Sequence, residues 1–188
     1  MKITLVARDG ALARAWRSAF AEVDDVGVVE GDYFEQPADA MVSPANSFGI
    51  MDGGIDLAIR DQLGLGVQTK LQRAIVERHH GELPIGCAEV VETGDPRWKY
   101  LVAAPTMRVP ESVAGTLNAY LAFRAVLLAC AKHPIESLVC CGLATGIGRM
   151  EPLRCATQMR VALQHVRGPA RIPSFQQIHA VHEALRKA

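Results

Sequence analysis

Short apolar runs alternate with segments of helical period along the whole chain, and this alternation most restricts what it can fold into. The runs are 2–7 (KITLVA), 26–32 (VGVVEGD), 39–45 (DAMVSPA), 87–94 (CAEVVETG), 98–106 (WKYLVAAPT) and 137–143 (SLVCCGL). Apolar runs of this length, bounded by turn residues, read as strands. Between and after them, 10–23, 53–64, 67–81, 114–133, 153–166 and 174–188 read as helices. In the first, Leu12, Trp16, Phe20 and Val23 share one stripe; in the second, Ile55, Ala58, Ile59 and Leu63 do. Strands and helices interleaved in this way predict an α/β fold, with a mostly parallel or mixed sheet and helices on both faces. The 188 residues suit one domain, 1–188, with no internal repeat. The stretch 167–174 (RGPARIPS) is linker-like and suited to mounting the helix 174–188 on the flank or edge of the sheet, with Ser174 opening it.

Charge and composition remove several functions. Lys plus Arg number 20 and Asp plus Glu number 20, so no global field draws the chain to nucleic acid. The longest apolar segment, AYLAFRAVLLACA, carries Arg124 and is too short to span a bilayer. The N-terminal apolar run is too short for a secretory signal. The expectation is a cytoplasmic protein with no membrane partner. The five cysteines form no C-x-x-C pair and read as small buried hydrophobes in a reducing compartment. Cys140 and Cys141 are adjacent in a strand, so their side chains point to opposite faces. His179 and His182 lie three apart on the last helix without a third ligand nearby, and read as a solvated face; no metal is expected.

Chemistry concentrates in two glycine-containing loops, each between an apolar strand and a helix. They are VSPANSFGIMDGGID (42–56) and ATGIGRMEP (144–152). In open α/β folds ligands bind beyond the carboxyl ends of the strands, where such loops stand. Glycine leaves no side chain between backbone N–H groups and a ligand, and a helix start adds unpaired N–H groups. Together these suit a phosphate cradle. The turn after the first strand, ARDGALA, lacks G-x-G-x-x-G, and no G-x-x-x-x-G-K-[ST] occurs, so a P-loop is excluded. A phosphate site without that lysine suits a diphosphate that is recognised, or a bond made beside it.

At this point 30–59, EGDYFEQPADAMVSPANSFGIMDGGIDLAI, resembles the opening of the macro domain, the ADP-ribose-binding module. In that family a G-D pair ends a strand, N-A-A-N follows D-A-[IV]-V, and a glycine-rich loop leads into G-[VI]-D-x-A-I. The stretch CCGLATGIGRMEP resembles the family's second loop, close to S-T-G-I-Y-G-[FY]-P. The resemblance spans about 26–167. It implies a three-layer α-β-α fold with a mixed, mostly parallel sheet, followed by the C-terminal helix 174–188.

The resemblance also implies roles. Asp32 matches the aspartate that accepts from the adenine amino group, with Tyr33 beside it. Asn46, preceded by Ala45, matches the second asparagine of N-A-A-N, which faces the distal ribose. Gly53, Gly54 and Ile55 match the first phosphate loop. Asp56 matches the aspartate that orients water in hydrolytic members. Ala144, Thr145, Gly146, Ile147, Gly148 and Arg149 fall in the second loop, whose backbone amides hold the diphosphate. The implied ligand is ADP-ribose or an ADP-ribosylated protein, with no cofactor or metal. Asn46 and Asp56 are the candidate catalytic pair for hydrolysis of an ADP-ribosyl bond on a protein or in a small ADP-ribose ester or phosphate. The alternative is a reader that binds ADP-ribose or a related nucleotide without turnover. Two departures favour it: Ser43 replaces the first asparagine of N-A-A-N, and Gly148 replaces the aromatic of the second loop. Phe48 and Arg149 are candidate substitutes for the missing ring and clamp.

Overall fold

The computed structural model describes residues 1–187; the expected extension of the last helix to 188 falls outside them. Six strands form one sheet: β1 (Lys2–Ala7), β2 (Val26–Glu30), β3 (Ala40–Ser43), β4 (Glu89–Asp95), β5 (Trp98–Ala103) and β6 (Ser137–Cys140). Their order is β2-β1-β6-β3-β5-β4. All neighbouring pairs are parallel except β4 and β5, which form an antiparallel hairpin at one edge. The expected mixed, mostly parallel sheet is therefore present.

Each central strand sends alternate residues to opposite faces, as a pleated backbone must. Leu5, Val42, Val102 and Leu138 enter one core with Leu12 and Trp16 of α1 (Gly10–Ala19), Phe123 of α4 (Asn118–Cys130) and Met159 of α5 (Pro152–Arg167). Val6, Met41, Leu101 and Val139 enter the other, with Ile59 of α2 (Gly54–Leu63) and Leu71 and Ile75 of α3 (Gly66–His79). The result is three layers. Cys140 and Cys141 fall in different cores, as their adjacency predicts.

Several element boundaries differ from expectation. The helix expected over 114–133 is shorter at both ends. At its start the Thr116 hydroxyl donates to Val113 O and accepts from Asn118 N, replacing the first helical turn. At its end Lys132 and His133 donate three residues back, to Ala129 and Cys130, in a tight turn. The left-handed residue closing α3 is His80 (φ 53°), with Gly81 (φ 91°) following and donating to Ile75 O. The last helix, α6 (Phe175–Lys187), packs its C-terminal end on α5: Leu185 is buried, and Arg154 and Gln158 of α5 donate to the carbonyls of Arg186 and Leu185. The Ser174 hydroxyl accepts from Gln177 N, as an opening residue does.

Candidate functional site

The carboxyl ends of β2, β1, β6 and β3 stand side by side and send their loops to one edge of the sheet. There the loops enclose a cavity of about 440 Å³, within the range of small-molecule sites. Both glycine-containing loops line it, from Ala45 to Asp56 and from Ala144 to Gly148. Of the expected site residues, Tyr33, Ala45, Asn46, Gly53, Gly54, Ile55, Asp56, Ala144, Thr145, Gly146, Ile147 and Gly148 line it; Asp32 and Arg149 do not.

The second loop is folded on itself. Arg149 N donates to Gly146 O, Met150 N to Ala144 O, and Val113 N to Gly148 O. Among the described residues, the N–H groups of Thr145, Gly146, Ile147 and Gly148 have no acceptor in the chain. Four successive unpaired amides beside a cavity form a donor row suited to an anion. The glycines differ in purpose. A Cβ at Gly146 meets nothing within 4 Å, and Gly146 has no positive φ; the left-handed residues of this loop are Ala144 (φ 62°) and Arg149 (φ 55°). A Cβ at Gly148 would stand 2.4 Å from Ala144 O and 2.8 Å from Val113 Cγ2, so the position where the resemblance expects an aromatic has no room for a side chain.

The start of α2 also stands at the cavity, with Gly53 as N-cap and no side chain capping it. Its first amides are therefore unpaired, and the positive end of its dipole faces the same space. Asn46 lines the cavity, but its side chain is engaged in its own loop: Nδ2 donates to Ile50 O at 2.7 Å, and Oδ1 accepts from Phe48 N and Ile50 N.

Asp56, in the first turn of α2, is 8% exposed. Ser43, the last residue of β3, is fully buried, and its hydroxyl donates to Asp56 Oδ1 at 2.6 Å. Burial pushes the Asp56 carboxyl up to about 6, against a smaller lowering by the Ser43 hydrogen bond. The group is thus mostly ionised at neutral pH and titrates close to it, as a proton-handling carboxylate must.

At the other end of the cavity, Asp32 caps the short 3-10 turn Tyr33–Glu35, accepting from Phe34 N at 2.9 Å, and pairs with Arg8 at 2.6 Å. The Phe34 amide first, and Arg8 second, hold its carboxyl below the usual range. Gly31, Tyr33 and Phe34 around Asp32 line the cavity, as do Arg8 and Asp9 after β1. Arg8 is a cavity residue that the sequence reading missed. Its signal was position: it ends the first strand, beside the G-D pair of the parallel neighbour. The Tyr33 hydroxyl is buried between β3 and β6, accepting from Val42 N and standing within hydrogen-bond distance of Val42 O and Val139 O.

A family model for the macro domain matches residues 42–159. The chain belongs to the macro domain family. A protein of Aquifex aeolicus is 32% identical over 124 residues, 66% of this chain and 72% of that one. The macrodomain of Mycobacterium tuberculosis DarG superposes with a TM-score of 0.62 at 22% identity, covering 72% of this chain and 88% of its own. Thermosipho africanus DarTG, solved in complex with ADP-ribose, gives 0.62 at 17% identity, over 92% of this chain and 55% of that one.

The candidate substitutes for the missing motif residues are not in the cavity wall of this macro domain. Phe48 lies outside the cavity wall, with the Arg108 guanidinium 5.1 Å over its ring. The phenyl ring in the wall is that of Phe34, held edge-on to Tyr33 and Trp98. Arg149, left-handed at φ 55°, is exposed and outside the wall. Among the described residues no group of three or more His, Cys, Asp or Glu is arranged to hold a metal, and no helix is long and apolar enough to cross a membrane.

Proposed function

We propose that this macro domain binds ADP-ribose in the cavity, with the diphosphate between the two loops. The observation that carries this reading is the row of unpaired amides at Thr145–Gly148 at the same cavity as the uncapped start of α2. Two donor surfaces at one cavity suit a bridging diphosphate, and neither needs a metal or a lysine. Asp32 then takes the adenine amino group, and the distal ribose lies towards Asn46 and Asp56.

The same placement supports hydrolysis of an ADP-ribosyl bond. Water held by ionised Asp56 attacks the anomeric carbon of the distal ribose; the bond to the leaving oxygen breaks, and the water proton passes through the carboxylate to that oxygen. Positioning and fixed dipoles supply the rate. The second reading, a reader without turnover, is favoured by Asn46, whose amide donates to Ile50 O rather than standing free for a ribose hydroxyl.

Calorimetric titration with ADP-ribose, ADP, AMP and NAD tests the binding. ADP-ribose raises the melting temperature by mass action. AMP, lacking the diphosphate, binds more weakly, and equal affinities for AMP and ADP-ribose refute the two-loop arrangement. Incubation with an ADP-ribosylated protein separates the two readings: free ADP-ribose appears only with turnover.

A further inference from the structure

Ser43 stands where the sequence departs from N-A-A-N, and its hydroxyl makes the one side-chain hydrogen bond that Asp56 has among the described residues. The bond joins the end of β3 to the first turn of α2 beneath the loop that carries Asn46, Asp52, Gly53 and Gly54. Among the described residues no cation pairs with the carboxylate. Arg60, one turn further along α2, pairs with Asp61 at 3.3 Å. From the elements packed around Asp56, the titratable groups whose charges couple to it are Tyr33, after β2, and Cys141, after β6. Burial pushes both up, so both are neutral across the working range. Asp52, in the preceding loop, and Asp9, after β1, are the other carboxylates lining the cavity. Besides the positive end of the α2 dipole, the group that holds the charge of Asp56 is a neutral hydroxyl. With Oδ1 committed to Ser43, Oδ2 is the oxygen left for a ligand.

We propose that Ser43 is a positioning residue of this site: its hydroxyl holds Asp56 ionised and oriented so that the carboxylate accepts a hydroxyl of the ligand's distal ribose. The inference rests on the ADP-ribose reading and adds to it a proton linkage. A carboxylate that must be ionised to accept makes affinity rise with pH through about 6, where Asp56 titrates. The Ser43 bond lowers that midpoint, so removing it moves the midpoint up and weakens binding most near neutrality.

The test is ADP-ribose titration from pH 5 to 9 for the parent, Ser43→Ala, Ser43→Cys and Asp56→Asn, with the Asp56 carboxyl followed by NMR without ligand. Cysteine keeps the approximate size of serine but is a weak donor, so it serves where alanine disturbs the fold. The expected result is an upward shift of the Asp56 midpoint in both Ser43 variants. Affinity then falls about threefold or more near pH 6.5, and the difference narrows by pH 9. Asp56→Asn has a flat profile. Superimposable midpoints in parent and variants, or a loss equal at every pH, overturn the role of Ser43. A parent that binds no ADP-ribose at any pH overturns the ligand reading, and the ribose role with it. A parent that binds, with profiles that superimpose, overturns Ser43 alone.

Discussion

Two glycines of one loop should respond oppositely to a side chain, and the contrast tests whether this loop holds the ligand. Gly146 has no atom within 4 Å of an added Cβ and no positive φ, so neither its backbone nor crowding at the Cβ requires glycine for the fold. Replacing a glycine in an unstrained conformation also reduces the freedom of the unfolded chain, worth about 0.4–1 kcal/mol in the Gly→Ala case. Gly146→Val should therefore melt within a few degrees of the parent. Its side chain nevertheless enters the space beside the unpaired amides, and ADP-ribose affinity should fall about tenfold or more, at least ~1.4 kcal/mol. Gly148→Ala is the reverse. Its methyl would stand 2.4 Å from the Ala144 carbonyl oxygen, a backbone atom that gives way only if the turn opens. Overpacking of this kind costs about 1–3 kcal/mol. At roughly 2–4 °C per kcal/mol for a chain of this size, melting should fall by several degrees. Thermal unfolding and calorimetry on both variants, at one pH, measure all four quantities. A folded Gly146→Val that binds ADP-ribose as the parent does refutes the argument, because the amide row then faces no ligand.

Three further outcomes are expected. Asp56 titrates at about 6 in the fold against an ordinary 3.8, so the unfolded chain releases its proton first and stability falls as pH rises between the two. Asp56→Asn removes that loss. The variant should be stabilised by at most about 3 kcal/mol at pH 7.5 and hardly at all well below pH 3.8, as denaturant unfolding at both pH values will read. Asp32→Asn keeps an acceptor for Phe34 N but loses the charge beside Arg8, and should weaken ADP-ribose binding with little change in melting; unchanged affinity reduces Asp32 to a turn cap. Cys87 is exposed while the other four cysteines are buried, with thiols that burial pushes up, so a thiol reagent under native conditions should add one label by mass spectrometry.

Much of the architecture was legible because it follows from local periodicity. A short continuous apolar run bounded by turn residues makes a strand buried on both faces, a 3.6-residue period makes a helix, and their alternation leaves little besides a parallel sheet covered on both faces. The two loops were legible for the same reason: strand, glycine-containing stretch and helix follow in order, and the carboxyl ends of parallel strands lie on one edge. Boundaries were less so, because Thr116 and His80 end or delay helices through side-chain bonds and left-handed backbone that no periodicity records.

The sequence by itself determined which residues after β2, β3 and β6 could reach the site, without marking the loops after β1 and β5, which also line the cavity with Arg8 and Met107. It did not determine which of them do. Phe48 and Phe34 are both loop aromatics, and only the packing of Phe34 against Trp98, 64 positions away by number, brings that ring to the wall while Arg108 covers the other. Ser43 reads in the sequence as a lost motif residue. Only the approach of α2 to the end of β3 gives its hydroxyl a carboxylate to hold, and only burial at that contact raises the Asp56 carboxyl into the neutral range. Burial and hydrogen-bond partners across a fold are properties of distant segments meeting, and no local pattern encodes where they meet.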